Sequence, residues 1–135
     1  MPPITFLTVS NSQEKLSAIY STVHSHYEKG ERVMVCVQNE ETAKFIDLLL
    51  WKTPPDSFLP HCTAEEPIEE RVVITTKEQN LNKAQVLINL RSHVLSNLTD
   101  FAQVYELFDR TTPDKEQLSH KKRQDYEATG NLTKN

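Results

Sequence analysis

His61 and Cys62 are adjacent side chains that could supply a base and a nucleophile, and Asp56 lies a few residues before them. A Cys and a His can act together in covalent catalysis, and His, Cys and Asp are all metal ligands. Adjacent residues rarely face each other, however, and the other histidines supply no second ligand pair at metal spacing. The favoured interpretation of His61 is a polar side chain that ties down a turn. The alternative is a small α/β metal-dependent hydrolase or nuclease that uses His61 as its base.

A second group of reactive side chains is the run His120-Lys121-Lys122-Arg123 near the end of the chain. Consecutive residues of a helix spread over most of its circumference, so at least two of these side chains should face solvent. One interpretation is an ordinary solvated helix whose cations interact favourably with the helix dipole. The other is a shallow groove beside a basic helix, which binds a short acidic peptide through its apolar end and its α-carboxylate.

The segment from Leu50 to His61 reads LWKTPPDSFLPH and connects the only tryptophan to a proline-rich loop. Proline fixes φ and removes a backbone donor, so this segment cannot continue a helix or enter a central strand. It must run along the surface, where Phe58 and Leu59 either plug the local core or anchor another protein. The residues alone slightly favour the plug. A homodimer in which Trp51 and Phe58 meet their own copies is a further alternative.

Apolar runs and helical periodicity predict the elements that position these groups. Strands are expected at residues 4–9, 32–37, 71–75, 85–90 and 103–108, and the polar stretch before the fourth strand has room for one short helix. Caps and spacing predict three longer helices, from Asn11 to Gly30, from Asn39 to Trp51 and from Pro113 to Ala128. Apolar strands alternating with helices predict an α/β fold, with a mostly parallel sheet of about five strands and helices on both faces.

Composition limits the class of protein. A chain of 135 residues predicts one domain, placed here at 1–130, with a frayed tail at 131–135. A net charge of −4 argues against a primary duplex-DNA binder, because neutralisation of phosphates dominates that affinity. Two cysteines, the absence of a secretory leader and the absence of an apolar run of membrane-spanning length predict a cytoplasmic protein that does not enter a membrane.

Glycine content argues against nucleotide chemistry. Phosphate-binding loops need glycines so that backbone amides can approach the phosphates, and this chain has only Gly30 and Gly130. The expected fold is therefore Rossmann-like without a nucleotide-binding loop. No cofactor, metal site or catalytic residue is expected.

Several segments occur in the order found in a known family. A helix ending in Leu50-Trp51 precedes a proline-containing stretch and then Asp56-Ser57-Phe58-Leu59-Pro60-His61, and the chain closes with Tyr126-x-x-x-Gly130. Residues 30–35, 86–90 and 101–109 match further strands. The chain thus resembles the chi-subunit family of bacterial DNA polymerase III holoenzyme along nearly its whole length. The resemblance implies a non-catalytic accessory subunit of the replicative polymerase.

The resemblance also implies two partner surfaces. Family members dock the psi subunit of the clamp loader, and in competition a Rad3/XPD-like helicase, through a region that corresponds here to Trp51, Phe58, Leu59, Pro60 and His61. They hold the acidic, Phe-terminated tail of single-stranded DNA-binding protein on the last helix and the end of the preceding strand. The residues expected at the tail site are Thr111, His120, Lys121, Lys122, Arg123, Gln124, Tyr126 and Glu127.

The last helix departs from the family pattern. That pattern alternates Arg, Tyr and Lys on one helix face, whereas His120, Arg123 and Gln124 occupy those places here. Two explanations stay open: the helix is rotated or shifted by a residue, or the tail binds weakly.

Overall fold

The computed structural model describes residues 2–52, 59–130 and, for the backbone, 133–134. Three helices are present in this part of the chain, α1 (Ser12–Glu28), α2 (Glu40–Lys52) and α3 (Pro113–Ala128), and a 3₁₀ turn spans Leu98–Asp100. The strands are β1 (Ile4–Val9), β2 (Val33–Cys36), β3 (Cys62–Thr63), β4 (Val72–Thr75), β5 (Val86–Asn89), β6 (Gln103–Asp109) and β7 (Thr133–Lys134). They form one sheet in the order β3-β4-β2-β5-β6-β1-β7, in which every pair of neighbours is parallel.

The predicted α/β fold with helices on both faces is confirmed, and all five predicted strands are present. β3 and β7 extend the expected sheet. The sequence did not predict them, because a two-residue strand is too short to produce an apolar run. No helix forms in residues 76–84; the short helical turn lies instead at Leu98–Asp100. Near the chain end, the backbone of Thr133–Lys134 pairs with β1. This pairing covers an edge of β1 that would otherwise expose unpaired backbone groups.

The two faces of the sheet carry separate apolar cores. α1 and α2 pack Ile19 and Ile46 against one face, whereas Tyr126 of α3 packs with Phe6 on the other. The chain runs from β1 through β2 to the edge strand β3 in one direction across the sheet, and from β3 back to β7 in the opposite direction, so right-handed crossovers place the helices on opposite faces. None of the described helices combines the length and the apolar character needed to cross a bilayer.

Local side-chain chemistry fixes where the helices begin. The side chains of Asn11, Asn39 and Thr112 accept hydrogen bonds from the backbone N–H three residues later, at 2.8, 2.9 and 3.2 Å, as their sequence positions predict. Gly30 adopts a φ of +82° directly after α1, a conformation that favours glycine. These caps position the start of each helix at the carboxyl end of the sheet, where the chain leaves β1, β2 and β6.

Candidate functional site

Arg123 lies against two aromatic rings on one side of α3. Its Cζ atom is 4.9 Å from the ring centroid of Phe6 and 5.1 Å from that of Phe108. Its Nε is buried and has no hydrogen-bond partner among the described residues. The His120 ring packs edge-on against Phe108, with centroids 4.8 Å apart. A guanidinium stacked in this way keeps its donors in a fixed orientation, which suits capture of a carboxylate.

These side chains surround a small cavity, here called the Arg123 hollow. Its volume is about 290 Å³, and it is lined by Thr8, Phe108, Arg110, Glu116, His120 and Arg123. Arg110 Nε lies 3.1 Å from Glu116 Oε2, so one of the two arginines already has an anionic partner. The guanidinium of Arg123 can therefore bind an anionic group, and the aromatic walls can contact an apolar side chain attached to that group.

The predicted tail residues are distributed around α3 rather than gathered at one point. His120 and Arg123 line the hollow, whereas Lys121, Gln124 and Glu127 are exposed on the helix. Thr111 is half-buried and donates its hydroxyl to Asp109. Sequence reasoning missed Thr8 of β1, Phe108 of β6 and Arg110, which directly follows β6. The signal for Arg110 was its position two residues after the predicted strand 103–108, at the strand end where side chains of parallel sheets meet ligands.

Lys122 does not share the exposed surface of its neighbours, which corrects the expectation that it faces a partner. Its ammonium is buried and donates to Glu106 Oε1 and, at 2.7 Å, to the backbone oxygen of Arg91. Tyr126 and Asn89 both donate to the other carboxylate oxygen of Glu106. One residue advances a helix by about 100°, so Lys122 points into the protein when Lys121 points out. Tyr126 is likewise fully buried, as a packing residue would be.

Glu106 is a buried carboxylate that the sequence analysis did not single out. Burial raises its pKa above the usual range, although Lys122 and the hydrogen bonds from Tyr126 and Asn89 act to lower it. Burial and then the charge of Glu106 raise the pKa of Tyr126, so the phenol remains a donor at neutral pH. The available signal was an acid placed between apolar residues, with Val104 and Tyr105 before it and Leu107 and Phe108 after it.

A row of apolar side chains lies on the outer surface of α2. Phe45, Leu48 and Trp51 are 53%, 53% and 47% exposed, and they recur at every third position of the helix. The opposite side of the same helix buries Ala43, Ile46 and Leu50 against the sheet. Three large exposed apolar residues on one helix surface, here called the α2 apolar stripe, are typical of a protein interface.

The segment from Leu59 to His61, after α2, packs against α2 next to Trp51. Leu59 is buried and Pro60 half-buried, and His61 Nδ1 donates to the Leu59 carbonyl at 2.8 Å. His61 Nε2 lies 3.0 Å from Asp47 Oδ1, and the His61 and Trp51 ring centroids are 4.4 Å apart. Leu59 therefore occupies the plug position, and Trp51 remains at the surface. Phe58 and Asp56 lie outside the described residues.

This geometry bears on the hydrolase alternative. Both ring nitrogens of His61 contact oxygen atoms of the fold, so neither is free to act as a base. Burial and then Glu70 raise the pKa of Cys62, which keeps it in the unreactive thiol form. Within the part of the chain that the structure describes, no group of three or more His, Cys, Asp or Glu is placed to hold a metal ion.

Asp109 connects α1 to the end of β6, and its replacement by Asn should weaken the fold. Burial would raise the pKa of Asp109, but hydrogen bonds from Lys15 and Thr111 outweigh it and hold the pKa below its usual value. Such a group stabilises the fold above its unfolded pKa, and the contribution is lost as pH falls through the folded pKa. We expect Asp109→Asn to lower the unfolding free energy by about 1–2 kcal/mol at pH 7 and by less near pH 3.

Urea unfolding at several pH values measures this effect. Asp125→Asn is the matched control, because Asp125 pairs with exposed Lys121 and such pairs contribute little. If Asp109→Asn lowers the unfolding free energy by as much in acid as at pH 7, the role given to the Asp109 carboxylate is contradicted.

Comparison with known proteins bears on the whole chain. The family model described as DNA polymerase III chi subunit, HolC, matches residues 1–133. The chain is 26% identical over 140 residues to DNA polymerase III subunit chi of Escherichia coli, an alignment that covers 95% of this chain and 90% of that protein. It is 25% identical over 103 residues to DNA polymerase III subunit chi of Haemophilus influenzae, covering 74% and 72%. The family resemblance first noted in the loop and strand segments is confirmed.

Proposed function

The chain belongs to the DNA polymerase III chi subunit family, and from that premise we propose that it links the clamp loader to single-stranded DNA-binding protein during replication. The family consists of non-catalytic accessory subunits of DNA polymerase III, so the chain is a replication protein without a catalytic site of its own. The proposed link requires one surface for each partner.

The Arg123 hollow is the observation that carries the proposal for single-stranded DNA-binding protein. An acidic tail that ends in Phe offers an α-carboxylate next to an aromatic ring. Arg123 would bind the carboxylate through charge-assisted hydrogen bonds, while Phe108 and His120 contact the ring. A cavity of about 290 Å³ is at the small end of ligand pockets, which suits a chain terminus better than a long segment.

The α2 apolar stripe is the proposed docking surface for the psi subunit or its equivalent in the clamp loader. Trp51 would be the central anchor, since Trp is enriched among the residues that dominate interface energetics. Leu59, Pro60 and His61 would support it from beneath, and Phe58 stays a predicted contact. A Rad3/XPD-like helicase that uses the same stripe would compete with psi rather than bind beside it.

The two proposed surfaces lie on opposite faces of the sheet, because α2 packs on one face and α3 on the other. Both partners could therefore bind at the same time. Two modest contacts held by one rigid domain gain from the high effective concentration that each gives the other. Weak binding of the tail would then be sufficient to hold the assembly on coated single-stranded DNA.

Binding of a tail peptide tests the first surface. Fluorescence anisotropy with a labelled peptide that copies the last residues of the organism's own single-stranded DNA-binding protein should show saturable binding. Arg123→Gln should weaken that binding about tenfold or more, because a charge-assisted hydrogen bond to the carboxylate is lost. The affinity should also fall as salt is raised.

Lys121→Gln is the matched control, since Lys121 lies on the same helix but is exposed and does not line the hollow. It should change the affinity only slightly. No binding to the folded wild-type chain, or equal effects of the two substitutions, would overturn the proposal for this surface.

A further inference from the structure

A larger cavity lies at the carboxyl end of the sheet, between α1, α2 and α3. Its volume is about 440 Å³, and residues that follow β2, β5 and β6 contribute to its lining. It is separate from the Arg123 hollow, because α3 contributes Lys115, Leu118, Ser119 and Lys122 to this cavity but Glu116, His120 and Arg123 to the hollow. We call it the sheet-end crevice. Its volume falls within the range of small-molecule sites.

The crevice occupies the place where open α/β sheets bind ligands. After the neighbouring strands β2 and β5, the chain continues on opposite faces of the sheet. The segment after β2 is α2, which packs on one face, and the segment after β5 contains Leu98 of the 3₁₀ turn, which packs on the other. Such a divergence leaves a gap outside the carboxyl ends of the strands, and ligands of doubly wound folds bind in that gap. Topology therefore creates this crevice independently of the surfaces proposed above.

Much of the crevice wall is apolar. Ile19, Ile46 and Leu107 are buried side chains of its inner wall. Phe45 and Leu118 also line it and are exposed large apolar residues on α2 and α3. Phe45 thus belongs both to the α2 apolar stripe and to this crevice. An apolar body that entered between α2 and α3 would remove both of these side chains from water.

Among the residues that the structure describes, the charged groups of the crevice leave one cation without an ion-pair partner. Lys15 pairs with Asp109 at 2.8 Å, and Lys122 pairs with buried Glu106. Arg91 donates to the carbonyl oxygens of Val37 and Thr76. Lys115 lines the crevice and makes no ion pair within the described residues. One uncommitted ammonium beside an apolar wall complements a ligand with a single negative charge.

The backbone around the crevice further narrows the ligand class. Phosphate groups are usually held by glycine-rich turns whose amides converge on them, and neither glycine of this chain lines the crevice. A carboxylate needs no such turn and forms a charge-assisted pair with one ammonium. We propose that the sheet-end crevice binds a small organic monocarboxylate with an apolar body, held by Lys115 and by the apolar side chains of α2 and α3.

Titration with 2-naphthoate, an aromatic monocarboxylate, tests this proposal. Its binding is followed by the fluorescence of the naphthalene ring and by amide chemical shifts of the ¹⁵N-labelled chain. Saturable binding should shift amides of α1, α2 and residues 89–92. Lys115→Glu should weaken it about tenfold or more, because an attractive charge becomes repulsive. The uncharged analogue 2-naphthamide should bind the wild-type chain more weakly than 2-naphthoate.

Lys121→Glu is the matched control, since it makes the same change of charge on the same helix outside the crevice. Lys115→Glu should not unfold α3, because Glu three residues after the Thr112 cap forms a favoured capping pair. No saturable binding, shifts confined to residues around Arg123, or equal weakening by both variants would overturn the proposal. Displacement of 2-naphthoate by the tail peptide at lower concentration would also overturn it, because the crevice would then be the peptide's site.

Discussion

Replacing Lys122 by Met is expected to lower the unfolding free energy by about 3–5 kcal/mol, the usual cost of leaving one member of a buried ion pair alone. The Lys122 and Glu106 side chains are only 7% and 0% exposed, so water cannot compensate the remaining carboxylate. Met keeps the length and apolar stem of the lysine, which isolates the effect of the charge. Equilibrium urea unfolding of wild type and variant measures the difference.

The difference in unfolding free energy between wild type and Lys122→Met should become smaller as pH falls. Without the ammonium, burial raises the folded-state pKa of Glu106 further above its unfolded value. The folded variant then binds a proton that the unfolded chain releases, so its unfolding free energy rises as pH falls between those two pKa values. A deficit that is independent of pH would contradict a charged Glu106 as its cause.

Two further variants keep this prediction testable. Lys121→Met removes a neighbouring charge that is 70% exposed, and it should change stability by no more than about 0.5 kcal/mol. Adding Glu106→Gln to Lys122→Met should recover part of the loss, because the amide oxygen still accepts from Tyr126 and Asn89 without carrying a charge. A Lys122→Met deficit below about 1 kcal/mol would show that the pair does not support the fold.

Replacing Trp51 by Ala is expected to weaken binding of the psi subunit by roughly thirtyfold or more, the effect of a typical interface anchor. Trp51 is nearly half exposed and its neighbours Phe45 and Leu48 extend the same apolar surface. Isothermal titration calorimetry of the chain with psi, or with the clamp-loader assembly, measures the affinity. Because Trp51 also packs on His61, the unfolding free energy of the variant should be measured in parallel.

Ile68→Ala is the matched control, since Ile68 is 39% exposed but lies between β3 and β4, outside α2. It should leave the affinity nearly unchanged. Equal affinities of Trp51→Ala and wild type would reject the α2 apolar stripe as the docking surface. Sedimentation of the isolated chain separates the homodimer alternative, because a dimer that Trp51→Ala dissociates would assign the stripe to self-association.

Local patterns predicted the elements accurately, for physical reasons. A parallel strand buried on both faces is a continuous apolar run, and a helix cap depends on residues three apart. A few neighbouring residues are therefore enough to predict where a strand lies or a helix begins. The five longer strands, the caps at Asn11, Asn39 and Thr112 and the end of α1 at Gly30 were all predictable in this way. The two-residue strands were not, because backbone pairing with a distant strand produces them.

Among the site residues, the sequence by itself determined which types are present, and the tertiary structure decided which way they face. Lys121, Lys122 and Arg123 are similar and consecutive, yet one is exposed, one is buried against Glu106 and one stacks on Phe6 and Phe108. The rotation of α3 is set by Ser119, Lys122 and Tyr126 packing on the sheet, and no local pattern encodes it because half of that contact comes from β1 and β6. The sheet-end crevice has the same origin: its walls come from residues as distant in the sequence as Ser12 and Lys122, which only the crossovers of the sheet bring together.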